Sequence, residues 1–437
     1  LHHSGNTIPK WFLECLGVWV SSLNECNYCV EHHFSGMKRL VGDDEKSALL
    51  RAAIEAEGRK AHVYTSPHLV RFNERIRIAG QLIEDDYLAG LLGKVLDISE
   101  DINPSFFEAT TAAAFIAFAE TPADACILEV GLGGRLDATN IVSHPVATGM
   151  AALGIDHEGF LLTPELGAPD KPMVRIAWEK AGIAKNQSPL LTQKYDDDMK
   201  VVIEQHCETI GAEFLPRGEN WDAAIYEGQL HYRDEAGKLE LPLPALVGTH
   251  QSGNAALAVA MLRHQNIVQV SDGALKAAMG WAQWSGRMQK LGPGPLQDLA
   301  PDADIWLDGG HNLNAAEQIA DHFKRSDSDS GSVHLILGML ANKNASGFLE
   351  ILAKDALRFK TMHAVPFSGH EIHEPEYLTA IAKEAGIAKA ETADSVAAAL
   401  RAWKANQRPS DPHGNILIAG TLYLAGEVLK ANEQVPD

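Results

Sequence analysis

Several polar clusters along the chain combine residue types that can do chemistry. Ser66 sits in a Ser-Pro step after a short apolar run, Glu129 closes the run ACILEV, and His157 follows Gly154-Ile155-Asp156. A hydroxyl, a carboxylate and an imidazole converging with water suit Mg2+ or Mn2+, with phosphate as a further ligand. A turn-capping carboxylate and a satisfied strand-end histidine fit the same positions, so position alone leaves both readings open. Gly131-Leu132-Gly133-Gly134-Arg135 is glycine-rich but lacks the G-x-G-x-x-G spacing of a dinucleotide loop, and a tight turn explains it equally well. Asp308-Gly309-Gly310-His311-Asn312 places a carboxylate and an imidazole after another apolar run. Cys26-x-x-Cys29, with His32 and His33 beyond, invites a zinc reading. Structural zinc needs four ligands and no second pair follows; a redox Cys-x-x-Cys should open a helix after a strand, and no strand precedes this one. Coincidence is the better reading.

The elements that would position these groups alternate in type. Ser47 to Glu57 carries apolar residues on one helical face and stops at Gly58. His62 to Thr65 reads as a short strand, Phe106 to Ala119 as a helix, Ala125 to Val130 as a buried strand and Val146 to Leu153 as another. Helices follow over Asn254 to Leu262 and Ala274 to Ala282. Strands alternating with helices predict a parallel sheet covered on both faces, and ligands of such sheets bind beyond the carboxyl ends of the strands. Apart from the cysteine cluster, the clusters above all follow predicted strands. Residues 291–304, with Gly292-Pro293-Gly294-Pro295 near their start, read as a linker or domain boundary. Beyond it Ile305 to Leu307, Val333 to Leu337, Met362 to Val365 and Ile416 to Ile418 are strands of a second α/β domain, and Lys324 to Ser332 is a polar surface loop.

Composition sets the outer bounds. At about 150 residues per domain, 437 residues predict two or three domains. Apolar residues at 46% and charged residues at 22% are ordinary globular values and exclude a disordered or fibrous chain. A formal net charge of −21 disfavours binding to nucleic acid or to an anionic membrane. Anionic ligands would therefore need local basic groups, helix N-termini or metal ions. Five scattered cysteines make no disulfide framework and fit a reducing cytoplasm. Trp11 to Leu23 is too short to span a membrane and carries Glu14.

Taken together the strings are specific. YTSPHLVRFNERIRI, FFEATTAAAF, ILEVGLGGRLDATNIV, GIDHEGFL, WEKAGIAK, GTHQSGNAALA, SGRMQ, LDGGHN, LGMLANK and ILIAGTLYLAGEVL occur in that order. They closely resemble the bifunctional dihydrofolate synthase/folylpolyglutamate synthase family of the Mur ligase superfamily, over residues 47 to 437. The resemblance implies an α/β protein of two domains: a three-layer, P-loop-ATPase-like Mur ligase central domain over 46–292 and a Rossmann-like Mur ligase domain over 293–437, behind an atypical segment 1–45. ATP would bind between them. It implies an ATP-driven amide ligation through an acyl phosphate, with ATP, L-glutamate and dihydropteroate or reduced folate as small-molecule substrates, in a cytoplasmic monomer. By motif, Ser66, Glu129 and His157 match magnesium ligands. Lys180 matches a lysine that is carbamylated and supports a second metal ion. Lys46, Ser47, Asn254, Arg287 and Asp308 match ATP contacts, and His311 lies beside the phosphates. Phe107, Glu108 and the Leu136-Asp137-Ala138 turn match the pterin side of the acceptor pocket.

The chain departs from the family pattern in three places. A G-T-x-G-K-[GS]-[ST] loop, whose N–H groups and lysine hold phosphate, is reduced here to Val41-Gly42-Asp43-Asp44-Glu45-Lys46-Ser47. The stretch is a few residues short and carries three carboxylates, each repelling phosphate by roughly a kcal/mol at close range. Weak ATP binding is the expectation, with a helix beginning near Ser47. The first 40 residues do not match the family's substrate-binding start. Leu161 to Met173 reads as a tolerated surface insertion. Rival readings are a binding-only homologue with a degenerate phosphate loop and a Mur-type ligase with another acceptor; the pterin-side strings argue against the second.

Overall fold

The computed structural model describes residues 44–155, 161–163, 165–325, 332–354, 359–408 and 411–436. Calls on His157, on the Cys26–Cys29 cluster, on the Trp11–Leu23 stretch, on Val41 to Asp43 and on the centre of the 324–332 loop lie outside these residues. Two units divide the chain: residues up to His68, Asn73–Ala245 and Ser252–Ala282 form one; Leu69–Phe72, Leu246–Gln251 and Gln283–Asp437 form the other.

In the first unit, α1 (Asp44–Ala56) leads into β1 (Ala61–Tyr64), β2 (Ile76–Ile78), β3 (Gln81–Leu82) and α2 (Asp85–Ile98). Then come α3 (Phe106–Glu120), β4 (Ala125–Leu128), β5 (Thr148–Met150), α4 (Pro172–Ala181), β6 (Pro189–Thr192), α5 (Asp197–Ile210) and β7 (Glu213–Pro216). Strands β8 (Trp221–Tyr226), β9 (Gln229–Asp234) and β10 (Gly237–Pro242) precede α6 (Thr249–Arg263) and α7 (Asp272–Trp281). Helix α3 is set by a capping box: Ser105 Oγ accepts from the Glu108 N–H and Glu108 Oε2 accepts from the Ser105 N–H. Its run FEATTAAAFIAFA is apolar nearly all round, so it is buried rather than amphipathic.

The single parallel sheet expected here is replaced among the described residues by three smaller ones. One runs β3-β2-β1-β4, with β1 parallel to β4 and antiparallel to β2; one is the parallel set β5-β6-β7; the third is the antiparallel meander β10-β9-β8. The meander alternates buried and exposed residues, with Trp221, Ala223, Leu230, Tyr232, Leu239 and Leu241 inward. Its buried Asp234 is paired with Arg263 of α6 at 2.6 Å.

The second unit holds β11 (Gln289–Lys290), β12 (Ala303–Leu307), α8 (Leu313–Arg325), β13 (Val333–Leu337), α9 (Ala345–Ala353), β14 (Phe359–Ala364), α10 (Pro375–Ala385), β15 (Lys389–Thr392), α11 (Val396–Ala405), β16 (Gly414–Ala419) and α12 (Leu422–Ala431). One six-stranded sheet, β11-β12-β16-β13-β14-β15, is parallel except for the edge strand β11. Alternate residues feed two cores. Leu335, Leu337 and Leu417 pack with Phe323, Phe348 and Leu378 on one face; Ile336, Ile305 and Ile418 pack with Leu400, Leu424 and Val428 on the other. The result is a helix–sheet–helix sandwich, and near-continuous apolar strands such as VHLIL follow from burial on both sides.

Residues 291–304 are not a linker. β11 pairs with β12 across them, Leu291, Leu296 and Ala300 are buried, and the Asn432 side chain accepts from the Leu296 and Gln297 N–H groups. The Gly-Pro run is a turn inside the second unit, whose continuous part begins at Gln283 rather than at 293.

Candidate functional site

The first cluster grows from the parallel pair β1 and β4. Register Tyr64↔Leu128 brings the residues just beyond both strands side by side. The Glu129 N–H donates to the Tyr64 carbonyl at 2.9 Å, and the Ser66 N–H donates to Glu129 Oε2 at 3.0 Å. Both residues are buried, and the Ser66 hydroxyl oxygen has no hydrogen-bond partner among the described residues. A buried hydroxyl without a partner is costly. Beside a buried carboxylate it fits an oxygen ligand for a divalent cation. Among the described residues no group of three His, Cys, Asp or Glu is placed to hold a metal, and the expected third ligand, His157, lies outside them. Burial pushes the neighbouring Tyr64 hydroxyl up, and it hydrogen-bonds to Thr111 Oγ1 at 3.0 Å.

Beyond β4 the chain turns through 131–140. Asp137 organises this turn: Oδ2 accepts from the Leu132 N–H at 2.8 Å, and Oδ1 accepts from the Thr139 N–H and hydroxyl at 2.9 and 2.6 Å. Burial raises its carboxyl above the ordinary range, against those donors. Leu136 is exposed, Ala138 is buried, and the Phe107 ring lies on the Gly131 backbone. Glu108 has one carboxylate oxygen committed to its helix cap.

The same turn is docked on the end of α4, which carries Lys180. The Arg135 N–H donates to the Glu179 carbonyl at 2.9 Å, and the Asn140 amide donates to the Arg135 and Gly182 carbonyls at 3.1 and 2.9 Å. Gly182 is required by this approach, since a Cβ there would stand 2.4 Å from that of Arg135. Lys185 donates to the Asn140 carbonyl at 3.0 Å, and burial lowers its ammonium below the usual range. Sequence reading named the glycines of GLGGR and missed Arg135, Glu179 and Asn140; the signal available was an arginine and an asparagine within one turn-forming stretch.

Lys46 and Ser47 lie in the first turns of α1, which begins at Asp44 and not near Ser47; Ser47 is buried. Asn254 is buried in α6. One residue earlier, the Gly253 carbonyl accepts from the Gln193 amide at 2.7 Å, and Gln193 Oε1 accepts from Arg217 at 3.0 Å. This brace was also missed.

In the second unit Asp308 follows β12. Its Oδ2 accepts from the Met288 N–H at 2.8 Å and its Oδ1 from the Gly310 N–H at 2.6 Å. Burial raises its carboxyl, while Arg287 and these donors pull the other way. His311 donates Nδ1–H to the Gly309 carbonyl at 3.0 Å. His250 donates Nδ1–H to Gln318 Oε1 at 3.2 Å and accepts from the Gln251 amide at 2.9 Å. The Asp308 and His311 bonds fix the backbone of the DGGHN turn at the carboxyl ends of the parallel strands, where ligands of such sheets bind.

Residues 297–431 match the family described as dihydrofolate synthetase, C-terminal domain. Over 382 residues the chain is 30% identical to the dihydrofolate synthase/folylpolyglutamate synthase of Escherichia coli (strain K12), covering 87% of this chain and 82% of the relative. The fold is similar to the solved structure of E. coli FolC in complex with DHPP and ADP, with a TM-score of 0.76 and 28% identity over 90% of this chain and 86% of that one. It is also similar to the bifunctional folylpolyglutamate synthase/dihydrofolate synthase of Yersinia pestis complexed with AMPPNP and Mn ion, with a TM-score of 0.73 and 27% identity over 89% and 86% of the two chains.

Proposed function

The chain belongs to the dihydrofolate synthase/folylpolyglutamate synthase family, and from that premise we propose that it is an ATP-dependent ligase joining L-glutamate to dihydropteroate and to reduced folates. The acceptor carboxylate attacks the γ-phosphate of ATP, giving an acyl phosphate and ADP. The glutamate amine then displaces phosphate and forms the amide. The observation that carries the reading is the Ser66–Glu129 pair, a buried hydroxyl and a buried carboxylate side by side beyond two parallel strands.

Ser66, Glu129 and His157 would hold a divalent cation, Mg2+ in this reading, which supplies charge neutralisation for the phosphates. Lys180 would hold the second such ion once its neutral amine had added CO2 and lost a proton, since the resulting carbamate is an anion able to ligate metal. Lys46, Ser47, Asn254, Arg287 and Asp308 serve the nucleotide, and His311 the phosphates. Asp308 acts by shaping backbone, because both its oxygens accept N–H donors. On the acceptor side Phe107 and Leu136 offer apolar surface to a pterin, with Ala138 lining the same turn, while Glu108 and Asp137 hold their elements in shape. Cytoplasmic location and a monomeric state go with this reading; among the described residues no helix is long and apolar enough to cross a membrane. One observation favours a second reading, a binding-only homologue: three carboxylates stand in the stretch 41–47 where phosphate would be held.

The test is turnover by the full chain at millimolar ATP with Mg2+, L-glutamate and dihydropteroate. One phosphate released per glutamate incorporated is expected, and Glu129→Gln should lower the rate about a hundredfold or more with the fold intact. Lys180→Ala should be slow and partly restored by acetate. Near-normal Glu129→Gln activity with an unchanged Mg2+ requirement overturns the assignment.

A further inference from the structure

We propose that Glu165, in the inserted segment 161–173, is a positioning residue for the acceptor substrate: its carboxylate pins the 131–140 turn to the helix that carries Lys180. The proposal rests on the reading above that this turn takes the pterin side of the acceptor. It gives a role to a segment that the sequence reads as a tolerated surface insertion.

The insertion is attached at both ends. Leu161 is buried, with Cδ2 against Gly133. At the far end Lys171 is ion-paired with Asp198 of α5. Between them Glu165 Oε2 accepts from Arg135 at 2.7 Å and from Arg175 at 3.1 Å. Arg175 also donates to the Thr163 carbonyl at 3.1 Å. Beyond Glu165 the segment turns outward, and Leu166 is fully exposed.

Charge balance gives the carboxylate its purpose. The Arg135 and Arg175 guanidinium carbons stand 4.4 and 5.0 Å from the centre of the same indole, that of Trp178. Two cations on one ring repel each other, and the setting is half-buried. Glu179 faces both, at 2.9 Å from Arg135 and 3.9 Å from Arg175. With Glu165 the cluster holds two cations and two anions; without it, two cations share one anion. Arg175 is buried on α4 and cannot leave. Arg135 is the more exposed partner and is the one that would swing toward water. Burial opposes its charge, and the bonds to Glu179 and then Glu165 outweigh that and hold it protonated. Because Leu136, Asp137 and Ala138 follow Arg135 directly, a shift of Arg135 passes straight into the acceptor turn.

Hydrogen exchange and kinetics on the full chain test this together. Glu165→Gln, which keeps shape and removes charge, should speed amide exchange across 132–141. It should raise KM for dihydropteroate about fivefold and leave KM for ATP within about twofold. Glu165→Asp should restore part of the acceptor KM. A merely structural loss would lower the active fraction, and so kcat, while leaving both KM values alone. Unchanged exchange over 132–141, or acceptor and ATP KM values that rise together, overturns the proposal. If the wild-type chain does not turn over, the ligase reading fails by itself. The dihydropteroate dissociation constant, read by pterin fluorescence, then replaces KM with the same fivefold expectation, and an equal affinity in wild type and Glu165→Gln overturns the proposal.

Discussion

His334 and His363 show how a buried polar group reports on its surroundings. His334 Nδ1 lies 2.7 Å from Thr361 Oγ1 and its Nε2 lies 2.8 Å from His363 Nδ1, all within the second unit's sheet. Burial, then the charge of His363, pushes His334 down to about 3, and burial lowers His363 as well. In the unfolded chain each histidine takes up a proton below about 6.5. The folded value is the lower one, so stability is full above pH 6.5 and falls as pH drops toward 3, by about 1.4 kcal/mol per pH unit for each such proton. Urea unfolding of the second unit should therefore weaken between pH 7 and pH 5, and His334→Gln should flatten the slope by about one proton. An identical slope in the variant would refute the assignment. The site residues teach a related lesson. Asp137, Glu108 and Asp308 were legible as chemistry-bearing types after predicted strands or at a helix start. Which of their oxygens are taken by backbone N–H groups was not, because those donors come from residues fixed only once the turns close. Asp308 accepts from Met288, twenty positions away.

At the scale of elements, strongly periodic or fully buried segments could be read from sequence and weakly patterned ones could not. Helix α3 and strands β12, β13 and β16 announce themselves by near-continuous apolar runs. The meander β8 to β10 carries Asp222, Arg233, Lys238 and Glu240 on its open face and a charged Asp234 on its inner one, so its alternation is diluted. The edge strand β15, Lys389–Thr392, buries one residue in four and offers no run at all. The Gly-Pro stretch before Leu296 was misread because turn residues mark a change of direction and not a domain boundary. Helix α1 brings a testable consequence. The helix begins at Asp44, and the sequence Asp43-Asp44-Glu45 at that point adds negative charge that opposes an approaching phosphate. With the cradling glycines reduced to Gly42, we expect the unmodified chain to bind ATP with a dissociation constant well above the micromolar range. Replacing residues 42–47 by Gly-Thr-Asn-Gly-Lys-Gly-Ser should tighten it about a hundredfold, the worth of three removed carboxylates at roughly a kcal/mol each. Micromolar binding by the unmodified chain in calorimetry would show that the metal-side residues carry the nucleotide without that loop.

For the whole molecule, the division into two units is a matter of separate cores and not of separate stretches of chain. A charge of −21 spread over 437 residues keeps the surface well solvated but says nothing of where one unit ends. Leu69 and Val70 come from the middle of the first unit's sequence, yet they pack on the second unit's core beside Leu424 and Val428. The approach is of backbone to backbone: a Cβ on Gly426 would stand 2.0 Å from the Leu69 carbonyl oxygen. Helix α12 can accept this segment only because residue 426 has no side chain. Gly426→Ala should therefore push residues 69–72 away and uncover the two apolar side chains, at about 1–3 kcal/mol for each if fully exposed. Leu69→Ala should reproduce part of that loss without the collision. Amide exchange in α12 should rise in both variants, more in Gly426→Ala, while β6 and α5 keep their protection, because their core of Met150, Leu190 and Ile203 contains none of these residues. Unchanged exchange in α12 of Gly426→Ala would mean that the segment contributes nothing to the second unit. An equal rise in β6 would mean that the two cores unfold as one.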